Sequence, residues 1–303
     1  MIRPLDRSSH VHGGLLGLAI GDAMGIARLR RARPQVSVHQ RTWRMQLGDW
    51  SEPTSQAMLT AESLLEAGQV SPMDWFLRIR RYLSEGYWSA RNRGYALDAS
   101  TRAALEAFEQ QLDRSAPVAA PPRLLGTPLP LVRGVIAGLR YAARPVEAAQ
   151  CGQALCQLTH SDPHTIEATR YLAALAAGAA GGESRRVLAR FPYQPTPDIW
   201  QGSMCIDLLA PAFERQPPRP CPSLRADHLL AITTQALSIA PTFQSLVDRT
   251  LDLQPSALAG ALAGGLSGAL LGARALPEAL ESQLAYRSSL LGVARRLTGI
   301  QPG

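Results

Sequence analysis

The sequence predicts an all-α protein built as one compact helical domain over residues 1–303, and three observations predict it. Wherever the apolar residues show a period it is that of a helix, strand-type alternation of β-branched residues is absent, and the proline-rich breaks are too short to separate domains. At 303 residues the chain buries a sizeable core without disulfide or metal staples.

Along the chain, charged Arg3, Asp6 and Arg7 precede a short apolar run, 15–20, which Gly21 and Asp22 interrupt, so no signal peptide is predicted. Met58, Ala61 and Leu65 share a helical face before Gly68, and Trp75, Ile79 and Leu83 share one before Gly86. Further helices are predicted over 101–112, 131–143, 146–158, 165–177, 224–239 and 256–272, with proline-rich surface loops at 115–122, 193–197 and 216–222. The uncharged stretch 253–273 is rich in Gly and Ala at small-xxx-small spacings. Its Gln254, Pro255 and two serines make it a close-packed internal helix rather than a membrane span.

All 31 basic residues are arginine, which removes every lysine-dependent chemistry, including Schiff bases, phosphate-loop lysines and the kinase ion pair. The net charge of +7 is densest at Arg28, Arg30, Arg31 and Arg33, but no aromatic residues interleave with them, so a solvated surface is predicted rather than a nucleic-acid site. Cys151, Cys156, Cys205 and Cys221 have no zinc or redox spacing and read as buried thiols of a reducing, cytoplasmic compartment. Trp75, Tyr87 and Trp88 read as core or rim packing.

Several stretches carry chemistry: GLLGLAIGDAMG (14–25), WSEPTSQAMLTAESL (50–64), GYALDASTRAALEAF (94–108), THSDPHTIEA (159–168) and SALAGALAGGLSGALLG (256–272). In this order they resemble the ADP-ribosylglycohydrolase family, whose relatives include the hydrolase that removes ADP-ribose from dinitrogenase reductase. The resemblance implies an all-helical fold with Ala/Gly-rich close-packed helices and, in active members, a dinuclear magnesium centre that cleaves N- or O-linked ADP-ribose. Magnesium takes hard oxygen ligands in near-octahedral geometry, so two ions need several carboxylates converging from separate helix ends.

Matched to the family's Thr/Ser-Asp-Asp-Thr motif, the chain has Ser51, Glu52, Pro53 and Thr54, and Pro53 has no side-chain oxygen. Matched to its Asp-x-Asp-Thr motif, the chain has Leu251 and Leu253 for the carboxylates and Gln254 for the threonine, with Asp252 retained between them. A third departure is GTPLPLVRG (126–134), where Pro128 and Pro130 lack the N–H groups that a phosphate-wrapping loop offers. Ser51 to Thr54 also reads as a helix start, with serine or threonine as the cap, the acid in the first turn and proline where no N–H is needed.

The sequence therefore predicts a family member that has lost the magnesium centre, needs no cofactor, and binds an ADP-ribose-like ligand or an ADP-ribosylated protein, with no nucleic-acid or membrane partner. Asp22, Ser51, Thr54, Arg102, Arg133, His160 and Asp162 are the candidate cleft residues. His160 takes the place of the family's substrate-facing histidine, the two arginines are candidates for phosphate pairing, and Asp162-Pro163 opens the next helix. The alternative is a working hydrolase with a depleted magnesium site in which Glu52, Asp252 or Asp22 serves as acid or base. A third possibility is a scaffold with a filled cleft.

Overall fold

A computed structural model describes residues 6–32, 45–94, 97–112, 127–215 and 225–299. Arg33, Cys221, Gly126 and the proline-rich stretches 115–122 and 216–222 lie outside the described residues. Among the described residues the secondary structure is helical, and no strand is present.

The first helix, α1 (Arg7–Ala32), runs without a break through Gly21 and Asp22, which end only its apolar run. The glycines serve packing instead of a turn. Gly13, Gly17, Gly21 and Gly25 recur every four residues and so fall on one face. That face lies antiparallel against α12 (Ala257–Leu271), whose Ser256 caps it by accepting from the Ala259 N–H. A Cβ at Gly13, Gly17, Gly21 or Gly25 would collide with the carbonyl oxygen of Gly268, Gly264, Gly260 or Ser256 respectively. The two backbones are in van der Waals contact over three turns, and this pair is the most extensive helix contact in the molecule.

Around it stand α2 (Glu52–Ala67), α5 (Leu131–Arg140), α6 (Pro145–Gln157) and α7 (Pro163–Ala180), whose Leu, Val, Ile and Ala side chains fill the main core. A second core forms where α3 (Pro72–Glu85) and α4 (Ala99–Leu112) close over α2, from Leu59, Trp75, Phe76, Ile79, Tyr82, Leu105 and Phe108. Trp75 is fully buried and its indole N–H donates to the Thr60 hydroxyl, as core packing requires.

The remaining helices are α8 (Arg185–Leu188), α9 (Cys205–Phe213), α10 (Ala226–Ile239), α11 (Phe243–Leu253), α13 (Glu278–Glu281) and α14 (Arg287–Leu297). Of these only α10 was predicted. The α11 start was missed because its capping box pairs Thr242 with Ser245, whereas the usual sequence signature has Glu or Gln at that position. Cys151, Cys156 and Cys205 are buried free thiols, and no helix of the described residues is long and apolar enough to cross a membrane.

Candidate functional site

The heads of α2, α4 and α7 and the segment leading into α5 meet at the seam between the two cores, and two buried polar clusters form there. In the first, Asp22 projects from α1 to the start of α2. Its carboxylate accepts four hydrogen bonds, from the Ser51 N–H (3.0 Å) and hydroxyl (2.7 Å) and from the Thr54 N–H (3.1 Å) and hydroxyl (2.7 Å). Thr54 is the third residue of the helix, so its N–H is one of those an α-helix leaves without an internal partner. The sequence predicted that Ser51 would cap this helix. Ser51 does occupy the N-cap position, but its side chain makes no bond to α2, and the cap comes instead from Asp22 on another helix. Burial pushes Asp22 up to about 6 even against the four donors that favour its charged form.

The second cluster centres on Arg133. Sequence reasoning placed it in a ligand cleft, but it is fully buried in α5 and all five guanidinium N–H groups are in use. Nε and one Nη donate to the Gln56 amide oxygen (3.2 and 2.7 Å), and the same Nη also donates to the Thr101 hydroxyl (3.3 Å). The other Nη donates to the Leu155 carbonyl (3.1 Å) and the Thr159 hydroxyl (2.7 Å). The Trp75 ring lies under the guanidinium with its centroid at 4.3 Å. Burial lowers Arg133 to about 10, which keeps it charged at neutral pH.

From Arg133 two arms run to one residue, Asp98. On the first arm the Gln56 amide donates to Glu52 Oε1 (3.1 Å), which also receives the Asp98 backbone N–H (3.2 Å). On the second, Thr159 is 2.7 Å from His160 Nδ1, His160 Nε2 is 2.9 Å from the Thr127 hydroxyl, and that hydroxyl donates to Asp98 Oδ1 (3.3 Å). Asp98 is the N-cap of α4, accepting the Ser100 and Thr101 N–H groups on Oδ1. Its Oδ2 is buried and has no hydrogen-bond partner among the described residues. Burial, and then the Asp98 carboxylate, raise Glu52 to about 8, while burial and the Arg133 charge lower His160 to about 4. Glu52 is thus favoured as the neutral acid and His160 as the neutral imidazole.

Of the predicted residues, Asp22, Ser51, Thr54, Glu52, Arg133 and His160 thus gather at the head of α2. Asp162 caps α7 through the Thr165 N–H and hydroxyl (2.8 and 2.7 Å) ahead of Pro163. Arg102 is exposed on α4 and belongs to neither cluster. Asp98, Gln56, Thr101, Thr127 and Thr159 were missed. The readable signal for Asp98 was D-A-S-T, an acid followed by N–H groups two and three residues on.

The positions matched to the family's second carboxylate group behave differently. Leu251 is buried in the main core, and Leu253 and Gln254 are half-buried at the C-terminal end of α11. Asp252 turns outward, its side chain 61% exposed, and pairs with Arg28 at 3.0 Å. Among the described residues no three His, Cys, Asp or Glu side chains converge on one point.

An all-helical domain whose Gly/Ala helix packs on a GDA-bearing helix, with an acid, a histidine and a capped H-S-D-P turn at one seam, has the build of the family that the sequence resembles. The chain belongs to the ADP-ribosylglycohydrolase family, whose model matches residues 3–302. It is similar to the ADP-ribosylarginine hydrolase Tri1 of Serratia proteamaculans (strain 568), 33% identical over 100 residues that make up 32% of this chain and 27% of that protein. It is likewise similar to the Tri1 of Pseudomonas putida (strain GB-1), 33% identical over 108 residues, 34% of this chain and 28% of that protein. The matched stretch thus spans little more than a quarter of each relative. A solved structure titled as an ADP-ribosylglycohydrolase-related protein complex superposes with a TM-score of 0.74 at 24% identity, over 97% of this chain and 99% of that one, which shows the shared fold.

Proposed function

We propose that the protein binds an ADP-ribose-like ligand, free or carried on a protein, without a dinuclear magnesium centre. The observation that carries this reading is the direction of Asp252. Its outward pairing with Arg28 removes the one carboxylate that a shifted register could have supplied, and Leu251 beside it is core. At the other position Pro53 offers no oxygen, so the donors present do not fit two hard cations, each of which wants several oxygen ligands. Glu52, Asp98 and Thr127 remain partly exposed while Gln56, Thr101, Arg133, Thr159 and His160 behind them are buried. A ligand therefore meets the cluster from the side of Glu52, Asp98 and Thr127. Turnover assays on arginine- and serine-linked ADP-ribose test the reading: no release of ADP-ribose is expected while the ligand still binds, and release at enzymatic rates would overturn it.

One observation favours a second reading, a hydrolase with an atypical centre. A protonated Glu52 beside a carboxylate is the pairing that glycosidic cleavage uses for general acid catalysis. On that reading Glu52→Gln abolishes release of ADP-ribose, and the absence of any release from the unmodified protein removes it.

A further inference from the structure

We propose that Arg133 is a positioning residue which, through Thr159, fixes the neutral His160 ring in the tautomer with its proton on Nε2. The direction of each hydrogen bond fixes the ring. A guanidinium can only donate, so the Thr159 oxygen accepts from Arg133 and its single hydroxyl proton is left for its other close partner, His160 Nδ1, at 2.7 Å. Were Nδ1 the donor, the buried Thr159 hydroxyl proton would have no acceptor, which costs more than a hydrogen bond normally contributes. The far end of the ring is compatible with this direction. Thr127 spends its hydroxyl proton on Asp98 Oδ1, so at 2.9 Å it can only accept from Nε2. The polarity therefore runs from Arg133 through Thr159, His160 and Thr127 to Asp98. A second positive charge on the ring is disfavoured by burial and by Arg133 itself, so His160 does not become a donor at both nitrogens.

The consequence is chemical. A neutral ring with its proton on Nε2 holds the partly exposed Thr127 hydroxyl from behind as an acceptor, so Thr127 and Asp98, not the buried imidazole, are what a ligand meets, and the ring is no base for a proton to be abstracted. This consequence rests on the binding role proposed above, whereas the tautomer is measurable without any ligand, so the two can fail separately.

The test is nitrogen-15 NMR of the imidazole rings in the ligand-free protein at neutral pH, with the His160 signals assigned by their loss in His160→Gln. Arg133 is so deeply set that its own variants can fail to fold, so Thr159→Val and Thr159→Ser carry the comparison. Expected are a single Nε2-protonated tautomer in the unmodified protein and in Thr159→Ser, and a mixture of tautomers in Thr159→Val. ADP-ribose affinity should fall about 3- to 10-fold in Thr159→Val and recover in Thr159→Ser. A ring protonated on Nδ1 or on both nitrogens in the unmodified protein, or a Thr159→Val spectrum identical to it, would overturn the proposal.

Discussion

Asp22 and Thr54 are joined twice, through the Thr54 N–H at 3.1 Å and its hydroxyl at 2.7 Å, so an acid in the middle of α1 serves as the cap of α2. Two segments that the sequence separates are thereby locked together at the head of the site. Asp22→Asn keeps the size but turns an amide N–H₂ toward at least one N–H or O–H donor. It is expected to lower unfolding free energy by about 2–3 kcal/mol in urea titrations, and Thr54→Val by about 1 kcal/mol. Equal and negligible losses would contradict the capping role.

Glu52 gives a pH signature. Its folded pKa of about 8 stands above the ordinary value of 4.5, so the fold favours the neutral acid. That contribution is complete below pH 4.5 and is lost as the pH rises through 8. Glu52→Gln is locked in the neutral form and should escape the loss. Between pH 5 and pH 9 the unmodified protein should lose about 2–4 kcal/mol relative to the variant. Parallel stability curves for the two proteins would show that Glu52 does not bury a proton.

The α1–α12 contact predicts two opposite outcomes for one kind of substitution. A methyl at Gly21 meets the Gly260 carbonyl, and backbone cannot step aside as a side chain can. Gly21→Ala should therefore cost about 3 kcal/mol or more, or prevent folding. Gly292 lies within α14 with nothing near its absent Cβ, so Gly292→Ala should stabilise by about 0.5–1 kcal/mol through helix propensity. Thermal midpoints moving in the same direction for both would contradict the contact.

Arg133 is predicted to be structural as well as positioning. Arg133→Met leaves Gln56, Thr101, Thr159 and the Leu155 carbonyl without their donor and should cost about 3–5 kcal/mol. Arg133→Lys should recover only part of this, because three rotatable N–H groups cannot reproduce a planar five-donor fork. Full recovery by lysine would mean that charge alone suffices.

Much of the fold was legible because helical periodicity and end signals are local. The shared face of Trp75 and Ile79 and Gly86 after Glu85 mark α3 as read, and Asp162-Pro163 marks α7. That α1 continues through Gly21 and Asp22 was not legible, for a non-local reason. A glycine that breaks a lone helix is required in one whose neighbour's backbone lies against it, and the neighbour is more than 200 residues away. Ser51 had the residue type and position of a cap, but a better acceptor arrived from α1. The burial of Arg133 was equally hidden, since its partners Gln56, Thr101, Leu155 and Thr159 come from other parts of the chain. The outward turn of Asp252 depended on where α11 ends, which the sequence left open as a choice of register.

The central claim, ligand binding without a dinuclear magnesium centre, is tested most directly by calorimetric titration of ADP-ribose into the purified protein, once with a chelator and once with excess magnesium. The account predicts a saturable ADP-ribose isotherm with the same Kd in both conditions and no saturable heat from magnesium alone. ADP-ribose binding that requires magnesium, or saturable magnesium binding that ADP-ribose tightens, would contradict it.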